Sequence, residues 1–114
     1  MDELIKLVVQ KTGISEAMAK TAALELARHQ IRVNVIQPGW IDTPGERKYA
    51  TEEELKRAGR RIPAGRLGTP EEIAHCLIFL CDPRNEYTTG ATLLVDGGIS
   101  LPWWAGDAES PKMD

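Results

Sequence analysis

The segment Pro38-Gly39-Trp40-Ile41-Asp42-Thr43 is the part of this sequence best suited to chemistry. It follows a short β-branched run, and a loop at the carboxyl end of a parallel strand is where α/β sheets bind ligands. Pro-Gly also ends strands in ordinary turns, so the dipeptide by itself is a weak signal. Lys11 offers an amine, although a lysine on a polar helix face needs no special role. His75, Cys76 and Cys81 carry metal-ligand atoms. Five residues apart on a helix, however, the two thiols point away from each other. Zinc sites space paired cysteines by roughly two to four residues and add further ligands. Both cysteines therefore read as core thiols, and no metal site is expected. The ten glycines contain no G-x-G-x-x-G arrangement. His29 reads as a solvated residue near a helix end, and Asn34 as a partner for nearby backbone groups.

Charge and composition narrow the classes. The 114 residues include 14 basic and 17 acidic side chains, a formal net charge of −3. That is no electrostatic footprint for nucleic acid and no polybasic handle for an anionic membrane. The longest apolar run, residues 76–81, is far shorter than the roughly 20 residues that span a bilayer. Met1-Asp2-Glu3 is acidic, unlike the basic start of a signal peptide. A soluble, cytoplasmic protein is the expectation.

The elements that would position the loop follow from periodicity. Residues 2–30 read as helix, interrupted at Thr12-Gly13, with Ile14, Met18, Ala22 and Leu26 as its apolar stripe. Residues 31–36 read as a strand buried on both faces, stopped by Gln37-Pro38-Gly39. Thr51-Glu52-Glu53-Glu54 predicts a capped helix over 52–60. Thr69-Pro70-Glu71-Glu72 predicts another, with Ile73, Cys76, Leu77 and Leu80 as its stripe and an end near Asp82-Pro83. Residues 91–95 read as a second strand closed by Asp96-Gly97-Gly98. Arg47, Lys48, Lys56, Arg57, Arg60 and Arg61 alternate with acids and read as a solvated face. The order is α/β with the strands parallel. Two strands make a poor sheet, so the first predicts an open apolar edge that further strands must cover.

Three separated blocks carry a resemblance. They are Ala23-Leu24-Glu25-Leu26-Ala27 running into residues 31–39, then Gly65-Arg66-Leu67-Gly68-Thr69-Pro70-Glu71-Glu72-Ile73-Ala74, then Thr89-Gly90-Ala91-Thr92-Leu93-Leu94-Val95-Asp96-Gly97-Gly98. In this order and spacing the chain resembles the short-chain dehydrogenase/reductase family, in its C-terminal part only. The resemblance implies the C-terminal portion of a Rossmann-like doubly wound parallel sheet, contributing its last two strands with flanking helices. Residues 1–101 would form this partial domain and 102–114 a tail. It also implies an NAD(P)-dependent oxidoreductase acting on a small alcohol or carbonyl compound. Pro38, Gly39, Ile41 and Thr43 would be cofactor-contacting, with a backbone group at Ile41 meeting the nicotinamide carboxamide and the Thr43 hydroxyl touching the cofactor. The helix before the last strand, that strand itself and the Trp103-Trp104 pair suggest subunit contacts, hence a homo-oligomer or a partner chain.

What the resemblance lacks is equally informative. The family's glycine-rich turn and catalytic serine have no counterpart in these residues. Its tyrosine lies four residues before a lysine. Taking Lys11 as that lysine, a vestige of the catalytic site, places Leu7 at the tyrosine position. Counting back from Leu24-Glu25-Leu26 instead places Thr12 at the lysine and Val8 at the tyrosine. No tyrosine precedes Tyr49 in either register. A leucine or valine cannot supply the proton that carbonyl reduction needs, and such assistance is worth about 10²–10⁴-fold. The expectation is a fragment or truncated relative of an oxidoreductase, inactive as the isolated chain. The competing expectation is a non-catalytic interaction module that pairs through its open strand edge with a full-length relative or with itself.

Overall fold

The computed structural model describes residues 15–102, and residues 6–10 as backbone. In chain order the elements are β1 (Lys6–Gln10), α1 (Glu16–Leu26), β2 (Arg32–Pro38), α2 (Pro44–Arg47), α3 (Glu52–Arg60), α4 (Pro70–Cys81) and β3 (Thr92–Val95). Short 3-10 turns cover Ala27–His29 and Pro83–Asn85. The chain divides into two compact units. The first takes the residues up to Pro38 with Ala74–Leu94, and the second takes Gly39–Ile73 with the residues from Val95 on. No described helix is long and apolar enough to cross a membrane.

In the first unit the strand order is β1-β2-β3. β1 runs parallel to β2, with Lys6 opposite Arg32 and Gln10 opposite Ile36. β3 joins the other side of β2 through Gly90 N–H to Val33 O (2.7 Å) and Val35 N–H to Ala91 O (2.9 Å). Partners that climb together along both segments make this pairing parallel as well. Residues 32–36 are buried without interruption, as a parallel strand covered on both faces requires.

Two expectations change here. Residues 6–10 form a strand, where the sequence pattern predicts helix from residue 2 onward. A short apolar run carries no decisive period. The β-branched pair Val8-Val9 fits a pleated edge, and β2 offers partners that an isolated helix lacks. The edge of β2 that was expected to stand open is therefore closed by the chain's own β1. The second change is the phase of α1. Ala19 and Ala23 are buried against Val33 and Val35, with Ala22, Leu26 and Ile31 beside them. Met18 and Leu24 are exposed. The small alanines let the helix lie close to the strand, which the larger residues would prevent. Ser15 caps α1, its Oγ accepting from Met18 N–H at 3.1 Å. On α4, Leu80 of the expected stripe is buried while Leu77 is exposed.

Polar side chains bind the first unit across long sequence distances. Arg32 is 4% exposed, and its guanidinium donates to Leu80 O (2.8 Å) and Thr88 O (2.9 Å). Asn34 is 2% exposed; its Nδ2 donates to Thr88 O and its Oδ1 accepts from Ala91 N–H, both at 3.1 Å. The expected role of Asn34 as a backbone partner is thus the observed one.

The second unit is built differently. Leu55, Ile62 and Leu67 form its core, with Ala50, Ala58 and Ile99 packed against them. α3 begins in a capping box, Thr51 Oγ1 accepting from Glu54 N–H and Glu54 Oε1 from Thr51 N–H. Thr69 and Glu72 repeat the same reciprocal pair at the start of α4. Each device satisfies amide groups that a helix leaves unpaired in its first turn. Both helix starts fall where the sequence predicts them.

Candidate functional site

The candidate loop begins as β2 ends. Pro38 is the last residue of β2, in the first unit, while Gly39, Ile41 and Thr43 belong to the second. Gly39 donates its N–H to Val95 O at 2.9 Å. A Cβ at this position would lie 2.5 Å from Asp96 Cβ and 2.7 Å from Asp96 Cα, so only glycine lets the two backbones meet. Asp96 is held in turn, its carboxylate accepting from Gly98 N–H (2.9 Å) and Ser100 N–H (3.1 Å). The hydrogen bond with Ser100 keeps its pKa below the usual aspartate value.

Two residues further on, the loop pairs with the segment before α4. Gly68 N–H donates to Trp40 O (3.0 Å) and Asp42 N–H to Gly68 O (2.9 Å), forming a parallel bridge between Ile41 and Gly68. That bridge uses the groups flanking Ile41. Among the described residues, the N–H and C=O of Ile41 itself have no hydrogen-bond partner. A Cβ on Gly68 would come within 2.9 Å of Ile41 Cδ1, a side-chain end that must turn aside to admit it.

Thr43 starts α2, its Oγ1 accepting from Glu46 N–H at 3.3 Å. Accepting that bond leaves the hydroxyl proton available to donate. The loop is tied sideways by Arg47, which forms a two-point pair with Asp42 (3.0 and 2.8 Å) and a second pair with Glu52. Arg47 holds the Asp42 and Glu52 carboxyls below their usual range. A cavity of about 490 Å³ opens beside Thr43, lined also by Asp42, Arg47, Lys48, Thr69 and Glu71. A smaller one of about 90 Å³ is lined by Trp40, Ile41, Arg66, Glu72 and Asp96 among others.

Sequence reasoning took Asp42 only as a member of the loop, and missed Arg47, Gly68 and Asp96 as parts of this arrangement. Arg47 read as one more surface charge, and Asp96-Gly97-Gly98 as a strand terminator. Their partners lie across loops, where periodicity has no reach. Lys11 lies outside the described residues, as does the Trp103-Trp104 pair. Cys76 and Cys81 are half-buried thiols. Among the described residues no three His, Cys, Asp or Glu side chains come together as metal ligands.

A parallel sheet with flanking helices in α/β order defines a Rossmann-like α/β protein. The chain belongs to the short-chain dehydrogenase/reductase family: the family profile described as enoyl-(acyl carrier protein) reductase matches residues 7–100. A short-chain dehydrogenase (RED2) of Pyricularia oryzae is 42% identical over 99 residues, covering 82% of this chain and 36% of that protein. The 3-oxoacyl-[acyl-carrier-protein] reductase FabG of Thermotoga maritima is 45% identical over 91 residues, covering 80% of this chain and 36% of its own. The NADPH-bound structure of a short-chain oxidoreductase of Pseudomonas aeruginosa, described as having an atypical catalytic center, superposes with a TM-score of 0.67 at 32% identity. That match covers 75% of this chain and 35% of the other. The chain thus spans about 36% of the length of these curated relatives.

Proposed function

We propose that this chain is the C-terminal part of an NAD(P)-dependent oxidoreductase for small alcohols or carbonyl compounds, and that it carries the nicotinamide-facing loop. The observation that carries this reading is the pair of backbone groups on Ile41 that have no partner among the described residues, one donor and one acceptor side by side, followed by the Thr43 hydroxyl with a proton to give. A carboxamide presents the complementary acceptor and donor. The residues present therefore fit the nicotinamide end of the cofactor, which when bound supplies or accepts the hydride. Gly39 lets the backbone of Asp96 pack closely enough to hold the loop in this shape. Pro38 ends β2 and turns the chain into it. Nothing among the 114 residues supplies the glycine-rich turn or the tyrosine four residues before a lysine. The isolated chain is accordingly proposed to turn over no substrate by itself. A cytoplasmic location and assembly with copies or a partner chain complete the proposal.

The test is a chimera in which residues 31–101 replace the matching segment of the Thermotoga relative. A folded chimera is expected to reduce carbonyl substrate with nicotinamide cofactor. Thr43→Val should lower kcat/KM by about tenfold, the worth of one hydrogen bond to the cofactor, while Thr43→Ser retains it. A folded chimera whose cofactor affinity and turnover ignore Thr43→Val would overturn the reading. So would saturable turnover by the 114-residue chain alone, for the proposal of inactivity.

A further inference from the structure

The run Arg66-Leu67-Gly68-Thr69-Pro70-Glu71-Glu72 carries more hydrogen bonds than a helix start needs. Thr69 and Glu72 cap α4 between themselves. Arg66 adds a fork, its Nη1 donating to Glu72 Oε1 at 2.9 Å and its Nη2 to Oε2 at 2.8 Å. The same Nη1 donates to Leu67 O at 3.0 Å. The guanidinium thus holds the residue before Gly68, and the carboxylate holds Thr69, the residue after it. One ion pair brackets the glycine. Glu72 Oε1 lies 3.8 Å from the point where a Gly68 Cβ would stand.

Gly68 in turn bonds Trp40 O and Asp42 N–H, the groups on either side of Ile41. We infer that Arg66 and Glu72 are positioning residues, fixing Gly68 so that the backbone groups of Ile41 keep the direction a carboxamide requires. That role rests on the oxidoreductase reading, which supplies the carboxamide. Arg66 holds the Glu72 carboxyl down to about 2, so the pair is intact at ordinary pH.

A positioning role differs from the two other effects this pair could have. Both side chains are about half exposed, and such pairs contribute little to stability. Losing the fork should therefore loosen Gly68 while the unit stays folded. Charge acting through space has the opposite sign. The dinucleotide is an anion, so removing the Glu72 charge would tighten its binding by the field alone. Loosening Gly68 weakens it.

The test uses Glu72→Gln and Arg66→Lys. The glutamine can still accept from Thr69 N–H, but its amide NH2 meets the Arg66 donors and the fork is lost. The lysine keeps the charge and has no fork. In the 114-residue chain, amide hydrogen exchange at Gly68 and Asp42 should quicken about threefold in both variants, the scale of one exposed ion pair. Leu55, whose N–H bonds Thr51 O in the same unit, should keep its rate. In the folded chimera both variants should raise the cofactor KM by a similar factor. They should also narrow its preference for nicotinamide over the 3-acetylpyridine analogue, which has no amide N–H to give Ile41 O. Thr51→Ala, which removes the α3 cap, should leave that preference unchanged. Unaltered exchange at Gly68 and Asp42, tighter cofactor binding by Glu72→Gln, or an equal loss of preference in Thr51→Ala would overturn the positioning role and leave the oxidoreductase reading standing. A folded chimera that makes no distinction between the two cofactors before any substitution would instead overturn Ile41 as the carboxamide contact, and the positioning role with it.

Discussion

Arginine is used in opposite ways in the two units. In the first, Arg32 is buried and gives its guanidinium to two backbone carbonyls some fifty residues away in sequence. In the second, Arg47 and Arg66 sit at the surface, about half exposed, and pair with carboxylates five or six residues away. Buried polar groups become costly once a partner is removed, because the group left behind has no water to turn to. Exposed ion pairs exchange their partner for solvent at little cost and are screened by salt. The first unit should therefore be the mutation-sensitive one, and the second the one tuned by local caps and charge.

The sharpest way to break this comparison is Asn34→Ala. It strands Ala91 N–H beside the strand, while Thr88 O keeps the Arg32 guanidinium as donor, and should cost about 2.5 kcal/mol in urea unfolding. A cost below about 1 kcal/mol would mean that water reaches the site and that the first unit is no more demanding than the second.

Gly39→Ala should follow, at about 2 kcal/mol, by forcing apart the backbone of residues 39 and 96. This makes Gly39 a place where the second unit approaches the first in intolerance. A near-neutral result would show that the candidate loop shifts freely, and would weaken the case for a preformed cofactor contact.

Thr51→Ala and Thr69→Ala should each cost about 1 kcal/mol, the usual worth of a helix cap. Because the two caps share no hydrogen-bond partner, the double variant should show a simple sum.

The smallest effect is expected from acid. Its pair with Arg66, helped by the Thr69 N–H, lowers the Glu72 pKa to about 2 in the folded chain. The folded value lies below the unfolded one, near 4.5. Its contribution is therefore present above about pH 4.5 and is lost as the pH falls toward 2. Glu72→Gln should flatten that part of the stability–pH curve, and 0.5 M salt should mimic it in part. An unchanged acid limb would remove this surface pair from the account.

How much of this was open to sequence reasoning varies by element. The starts of α3 and α4 are decided by residues within one turn of each other, Thr51 with Glu54 and Thr69 with Glu72, so both could be read directly. The β-branched run of β2, its burial on both faces and the backbone-bonding role of Asn34 could be read as well. Each was legible from residue type, although the partners of Asn34, Thr88 and Ala91, lie more than fifty residues away. The family blocks likewise marked the loop at residues 38–43 as the place to look.

Other features were settled only in three dimensions. Residues 6–10 are a strand because β2 offers an edge to pair with, and no local pattern announces that. Ala19 and Ala23 face the core, and Met18 does not, because the fit against Val33 and Val35 selects small side chains. The bridge that turns Ile41's own backbone groups away from Gly68 forms because Gly68, far along the chain, bonds the groups on either side of them. Capping and strand propensity act over a few residues and are written in the chain itself. Edge pairing, helix phase and the unpaired state of an amide depend on what arrives from elsewhere, and only the folded molecule brings those partners together.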